Sequence, residues 1–206
     1  MKVLAKLALV VAILVSTYYA ILRVAEHKAD ALAGGGAFQL DRSHPEDDEA
    51  FTALLGQLRR WGQADLADSL RSLQEEGRLF VAPRLAGGRS AIYVDSLGLV
   101  RRVYVRLDEL VARKLPFPDL DAPDDAQRTF TRIRLAGTLF HELQHYGGLE
   151  DEAATYDRET AWYGRLRDTV LPGLEGERAR WFEWAVDSAL ESAEAAREKA
   201  EGVLPR

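Results

Sequence analysis

The feature that most constrains the fold is an apolar run near the N-terminus, "LALVVAILVSTYYAIL", at residues 7–22. Sixteen residues rise about 24 Å as an α-helix, slightly less than the roughly 30 Å hydrocarbon core of a bilayer. Lys6 and Arg23 flank the run, and their long side chains can reach the headgroups and extend the usable span. The run therefore predicts a single membrane-spanning anchor within residues 1–28.

Two other interpretations of this segment stay open. The tripeptide "ALA" at residues 31–33, before three glycines, has the small-x-small form that signal peptidase recognises, which would make the segment a cleaved signal. A buried core helix is a further alternative, although no polar face divides the run. Lys2 and Lys6 give the N-terminal side more positive charge than the balanced cluster that follows, so we expect a cytoplasmic N-terminus and an extracytoplasmic domain.

The composition of the whole chain argues against two classes of site. With a net charge of −6 and a pI near 5.3, the chain has no basic field to attract a phosphate backbone, so we expect no nucleic-acid partner. It contains no cysteine, so a metal ion would be held by histidine, carboxylate or water. The 206 residues suffice for one core once the terminal segment is set aside.

Beyond the anchor, the sequence predicts a linker and one domain. Residues 29–48 combine glycines, a proline and an acidic run, which is typical of a flexible linker, and the domain is expected at 49–206. Apolar spacing predicts an α+β fold, mainly helical, with a small antiparallel sheet. The predicted segments are helices near 51–58 and 66–73, strands at 78–85, 90–96 and 101–107, a proline-rich loop at 114–125, and helices at 124–146, 150–168 and 175–200, the last with Trp181, Trp184 and Ala185 facing inward.

One of these helices carries the segment "TLFHELQHYG" near its C-terminal end. On a helix His141 and His145 lie one turn apart on the same face, so their ring nitrogens can bind one metal ion. Glu142 projects about 100° further round the helix, where its carboxylate reaches a water molecule on the metal rather than the metal itself. The flanking residues are uncharged, as a buried metal-binding helix requires.

This segment resembles the zinc-binding helix of the zincin metallopeptidases and matches each position of their extended HExxH motif. The resemblance implies that His141 and His145 bind Zn²⁺ and that Glu142 is the general base that takes a proton from the attacking water. It also implies a minimal zincin-like domain, in which an edge strand before the helix binds an extended peptide by strand addition. The match is confined to this helix and its flanks.

A third protein ligand is needed, and four acidic residues after the motif are candidates. The spacing HExxHxxG resembles the metzincin branch, with Asp151 at the third ligand, but Met1 is the only methionine, so the methionine turn of that branch is missing. The gluzincin branch takes a glutamate from the next helix, which offers Glu150, Glu152 and Glu159. Helix geometry favours Glu152 and Glu159, and Glu152 is closer to the level of the histidines. We predict Glu152 and keep the other three as alternatives.

The predicted function is a membrane-anchored zinc metallopeptidase, gluzincin-like, that acts on peptide or protein substrates. Tyr146, Tyr156 and Tyr163 are candidates to donate to a developing oxyanion, but a tyrosine at helical spacing is more often a core residue, so none is assigned. Two alternatives stay open. One is a metal-binding zincin-like protein that cleaves no peptide, acting as a sensor or on another amide; the other is a non-catalytic, membrane-anchored interaction module.

Overall fold

The computed structural model describes residues 2–41, 43–112 and 123–202. Within these ranges the chain forms helices around a small sheet, which confirms a mainly helical α+β class. The predicted loop at 114–125 lies mostly outside the described residues. The helices are α1 (Lys2–Leu32), α2 (Pro45–Arg60), α3 (Ala64–Glu75), α4 (Leu107–Leu110), α5 (Asp124–Tyr146), α6 (Glu152–Val170) and α7 (Gly176–Ala200). The strands are β1 (Phe38–Gln39), β2 (Leu79–Ala82), β3 (Ala91–Ser96) and β4 (Val100–Arg106).

The helices predicted from apolar periodicity are confirmed, and α2 and α3 bury the stripes that their spacing defines. In α7, Ala185 is buried as predicted, while Trp181 and Trp184 are only partly buried beside it. All the residues that the spacing selected in the first two helices of the domain are buried, namely Phe51, Leu54, Leu55 and Leu58 in α2 and Leu66, Leu70 and Leu73 in α3.

The sheet is mixed, so the prediction of an antiparallel sheet is wrong for one strand pair. The strand order is β1-β2-β4-β3. β3 and β4 form an antiparallel hairpin, but β4 lies next to β2 and runs parallel to it, with Val81 opposite Val105. The residue alternation within a segment identifies a strand but not the strands beside it. Because β4 pairs with β2 on one side and with β3 on the other, β3 is the edge strand of the described sheet. That edge faces α5.

Alternate side chains of the sheet face two different layers. Val103 and Val105 of β4 point into the main core, which α2, α3 and α5 cover. Tyr104 points to the opposite face and is fully buried there with Val94 and Val100. The second face therefore also needs a cover, and α1 supplies it.

Helix α1 continues past the predicted anchor at residues 1–28 and packs on this second face. Ala25, Ala29 and Ala33 recur every four residues, so they lie on one side of the chain, and all three are fully buried. Their small side chains let α1 approach the sheet closely. The stretch Leu7–Leu32 is long and apolar enough to cross a membrane, and the large apolar side chains of its first part are exposed.

Ion pairs and a hydrogen bond also join α1 to the sheet. Arg102 of β4 lies 3.1 Å from Asp30 and 3.4 Å from Glu26, and the Tyr104 hydroxyl donates to Asp30 at 2.9 Å. The Arg102 guanidinium also lies over the Phe80 ring, 4.2 Å from its centroid. Because the Arg102 side chain is largely buried, these pairs are less screened than pairs on the open surface.

The segment at 29–48 is packed, in contrast to the predicted flexible linker. The last turn of α1 lies within it, β1 pairs with β2, Leu40 is fully buried in the main core, and α2 begins at Pro45. The glycines at 34–36, which suggested a flexible linker, form the turn between α1 and β1. The acidic residues at 46–48 form the first turn of α2, where the positive end of the helix dipole favours them.

Candidate metal centre

The C-terminal part of α5 positions His141, Glu142 and His145. α5 packs against the edge strand β3 on one side and against α6 and α7 on the other. This packing leaves His141 only 6% exposed and Glu142 only 7% exposed. The two histidine rings lie one turn apart, with their centroids separated by 4.9 Å, as the four-residue spacing predicts.

The chain reverses direction after α5, and the reversal supplies a partner for His145. Gly148 ends the helix in the left-handed region, at φ 97°, which glycine adopts without strain, and its N–H donates to the His145 carbonyl at 2.9 Å. The carbonyl of the next residue, Leu149, then lies 2.6 Å from Nδ1 of the His145 ring. The glycines that end α5 therefore also orient a predicted metal ligand.

Asp151 determines where α6 begins. Its carboxylate accepts the Ala154 N–H at 2.9 Å, which is the usual role of an aspartate at a helix N-cap. Glu152 is consequently the first residue of α6, and the N-terminal end of the helix dipole stabilises its negative charge. Its side chain points back toward the histidines of α5.

Three potential ligand atoms converge at one point. The Nε2 atoms of His141 and His145 are 3.1 Å apart, and Oε2 of Glu152 lies 3.3 Å from the first and 3.6 Å from the second. In a tetrahedral site with bonds of 2.0–2.1 Å, neighbouring ligand atoms are about 3.3–3.4 Å apart. The observed spacings match this value, so the three residues fit a tetrahedral ion such as zinc. The structure itself identifies no particular metal.

The Nδ1 atoms of both histidines, which face away from the shared point, also have hydrogen-bond partners. Nδ1 of His141 lies 3.0 Å from Oε2 of Glu159, which is buried, while Nδ1 of His145 has the Leu149 carbonyl. An acceptor at Nδ1 holds the ring proton there and leaves the Nε2 lone pair free for a metal. Burial lowers the pKa of His141, but the hydrogen bond to Glu159 and the surrounding carboxylates outweigh burial and raise it.

Glu159 in turn has Tyr163 of the same helix as a neighbour. Burial raises the pKa of Tyr163 well above its usual range, and the nearby Glu159 carboxylate adds to the rise, so the hydroxyl keeps its proton. Space for this hydroxyl exists because residue 137 of α5 is a glycine, where a Cβ would overlap the hydroxyl oxygen. The absence of a side chain at Gly137 is thus connected, through Tyr163 and Glu159, to the orientation of His141.

We predict that Gly137→Ala lowers the free energy of unfolding by about 1–3 kcal/mol, because the added methyl displaces a buried ring. It should also weaken metal binding, since a displaced Tyr163 ring would disturb the neighbouring Glu159, which lies at Nδ1 of His141. Gly164→Ala in α6 is the matched control: a Cβ there has nothing within 4 Å, and we expect it to stabilise the helix by about 1 kcal/mol. Chemical denaturation and metal titration of both variants test this, and equal effects would contradict it.

The four candidates for a third ligand occupy different places. Glu152 lies with the two Nε2 atoms, and Glu159 lies on the other side of the His141 ring, at Nδ1. Asp151 is used as the cap of α6, and Glu150 is exposed at the rim of the neighbouring cavity. Among the described residues, the group that can hold a metal comprises the two histidines and Glu152. That this group binds one stays a prediction.

Glu142 lies between the histidines and the edge of the sheet. Its Oε2 accepts the backbone N–H of Tyr93 in β3 at 2.7 Å. Burial raises the pKa of Glu142, and the Tyr93 N–H and the nearby histidines only partly oppose this rise. A raised pKa makes a carboxylate a stronger proton acceptor, which suits the role of a general base.

An open cavity of about 700 Å³ adjoins this group. Tyr156 of α6 lines it, with its ring centroid 4.5 Å from that of His141, and Arg89 lines it from the loop between β2 and β3. Sequence reasoning did not select Arg89, because a single arginine in a loop 52 residues before the motif carries no spacing signal. Its charge lowers the pKa of Glu142 and of Tyr156, although burial raises both more strongly.

The other two tyrosines are engaged elsewhere. Tyr163 is almost fully buried beside Glu159, and the Tyr146 hydroxyl accepts a hydrogen bond from Arg78. Of the three candidates, Tyr156 is therefore the one whose ring lies beside His141 with its side chain open to the cavity.

Comparison with known proteins adds no further information about this site. No protein-family model matches the chain, and no curated protein or solved structure matches it.

Proposed function

We propose that this protein is a membrane-anchored zinc metallopeptidase. The observation that carries the proposal is the convergence of the His141 and His145 Nε2 atoms with Glu152 Oε2, at spacings of 3.1–3.6 Å, beside the buried Glu142. Histidines buried only for packing would need neither a carboxylate at their shared point nor an open cavity next to it. The zincin resemblance of "HELQH" supports the same assignment.

The bound metal and the side chains of the protein would contribute different parts of the hydrolysis. Zinc, when bound, supplies a Lewis acid that polarises the substrate carbonyl and acidifies a water molecule. Glu142 would take the proton of that water on its carboxylate and deliver it to the leaving amine. Tyr156 and Arg89 line the same cavity and are the groups that would donate to the negative charge on the carbonyl oxygen.

The edge strand supports a peptide as the substrate. The Tyr93 N–H points away from β4, toward Glu142, and alternate residues share this direction, so Ala91 and Asp95 also point their backbone groups outward. An extended peptide could pair with the outward backbone groups of this edge that Glu142 leaves free, which would bring its backbone alongside Glu142. The binding of the backbone in this way requires no particular side chain on the substrate.

The packing of α1 supports an uncleaved anchor. Cleavage after Ala33 would remove Ala25, Ala29 and Asp30, and would expose Tyr104 and the apolar side chains around it on the second face of the sheet. We therefore propose that α1 stays attached and spans the membrane. The positive charges at the N-terminal end favour an extracytoplasmic domain.

The direct test is reconstitution of the full chain in detergent, since truncation would uncover the sheet. We predict that the purified protein contains zinc, that it hydrolyses fluorescently labelled casein, and that a chelator removes both zinc and activity. Added zinc should then restore hydrolysis. Zinc content without hydrolysis of any peptide library would favour the non-peptidase alternative, and absence of bound metal after zinc addition would overturn the proposal.

A further inference from the structure

The hairpin formed by β3 and β4 ends in an exposed apolar turn, which we call the hairpin tip: Leu97, Gly98 and Leu99. Leu97 is 55% exposed and Leu99 is 44% exposed. These are the large apolar side chains that stand exposed in the described domain outside α1. Single exposed leucines are common on soluble proteins, but two on one hairpin turn form a small apolar projection.

The backbone of the tip makes leucine an unfavourable choice there. Leu97 and Gly98 have φ values of 58° and 66°, and the Leu99 N–H donates to the Ser96 carbonyl at 3.1 Å, which describes a tight turn of the primed type. Asparagine or glycine fits the first of these positions with less strain. The need to form this turn does not explain a leucine at position 97. The Leu97 side chain is therefore expected to contact something other than this protein.

The contacts of α1 show where the tip points. Asp30 contacts both Tyr104 and Arg102, whereas Glu26, one turn nearer the N-terminus of α1, pairs with Arg102. Moving toward the N-terminus of α1 therefore means moving toward the start of β4. The two elements are therefore antiparallel. The hairpin tip, which precedes β4, projects along α1 in the direction of the exposed apolar run.

The position of the hairpin tip along α1 follows from the rise per residue of a strand and of a helix. Leu99 is three residues from Arg102, which is about 10 Å along a strand. The same distance along a helix corresponds to about seven residues, so the level of the tip, measured from Glu26, is near Tyr19. Tyr18 and Tyr19 are both exposed near the C-terminal end of the apolar run, and tyrosines so placed favour the boundary between lipid and water.

We propose that the hairpin tip inserts Leu97 and Leu99 into the surface of the bilayer that α1 spans. This proposal rests on the membrane location proposed above for α1. The tip and the tyrosine pair then lie at one level, and together they fix the domain to the membrane at two points. Side chains inserted in this way lie about 5–10 Å into the headgroup and acyl boundary.

Because the chain has no cysteine, single cysteines report on each position without background. Full-length Leu97→Cys and Leu99→Cys proteins, labelled with an environment-sensitive fluorophore, would be reconstituted in phosphatidylcholine vesicles that contain spin-labelled lipid. Tyr19→Cys in α1 is the positive control, and Ser69→Cys, exposed on α3 under the opposite face of the sheet, is the negative control.

The expected result is that spin-labelled lipid removes most of the fluorescence at positions 97, 99 and 19 and leaves position 69 unchanged. Quenching at position 19 without quenching at 97 and 99 would overturn the insertion of the tip and leave the anchor intact. A label at 97 that is shielded from water but not quenched by lipid would also overturn it, because it indicates contact with protein. Absence of quenching at position 19 would instead contradict the membrane location of α1.

Discussion

Replacing Glu142 with glutamine is expected to lower the rate of peptide hydrolysis by about 10²–10⁴-fold, the range that one general base contributes, while bound zinc stays at the parent level. Glutamine has nearly the same shape, and its carbonyl oxygen can still accept the Tyr93 N–H, so the fold and the cavity should be preserved. It cannot accept a proton from water. Initial rates on labelled casein, with zinc measured by atomic emission, test this expectation.

Glu150→Gln provides the matched control for this variant. Glu150 is exposed on the rim of the same cavity, so the substitution makes the same chemical change near the site without touching the group of ligand atoms. We expect the parent rate for it. A Glu142→Gln protein that also hydrolyses casein at the parent rate would exclude Glu142 as the base, whatever its zinc content.

Removal of a predicted ligand is expected to have the second large effect. His145→Ala should reduce bound zinc to background, because two protein ligands remain where a catalytic zinc site needs three. Glu152→Gln should weaken zinc binding as well, since a neutral amide replaces the carboxylate whose oxygen lies 3.3 Å and 3.6 Å from the two Nε2 atoms. Zinc content after dialysis against a metal buffer measures both.

A graded response should distinguish ligands from their supports. Glu159→Gln leaves all three ligand atoms in place but weakens the partner of His141, and the loss of such a partner typically reduces metal affinity by about 10–100-fold. Glu150→Gln again serves as the unaffected control. Parent-like zinc affinity in Glu152→Gln, together with complete loss in Glu159→Gln, would move the third ligand to Glu159 and contradict the assignment.

Local patterns were sufficient to predict the helices and the histidine pair. The periodicity of Leu54, Leu55 and Leu58 requires only that one face be buried, and that requirement is met in many folds. The four-residue spacing of His141 and His145 likewise depends on helix geometry alone. Glu152 could be selected because the two glycines before it limit how the next helix can return.

Contacts between distant segments could not be predicted in this way. The bond from the Tyr93 N–H to Glu142 joins residues 49 apart in sequence, and it depends on β3 lying at the sheet edge. The placement of β4 beside β2, the position of Arg89 and the burial of Ala25 and Ala29 are of the same kind. Each of these contacts depends on which segments pack together in the folded chain. The pattern of residues within one segment does not determine this packing.

The docking of α1 on the sheet has a consequence for substrate selection. Because partly buried ion pairs and a buried apolar contact join α1 to the sheet, the domain cannot swing freely at the end of a tether. Tyr93 lies four strand residues, about 13 Å, from Leu97. If the proposed insertion is correct, the scissile bond must lie at about that height above the lipid. Juxtamembrane segments of other membrane proteins would meet this condition, so distance from the bilayer would select the bond that is cut.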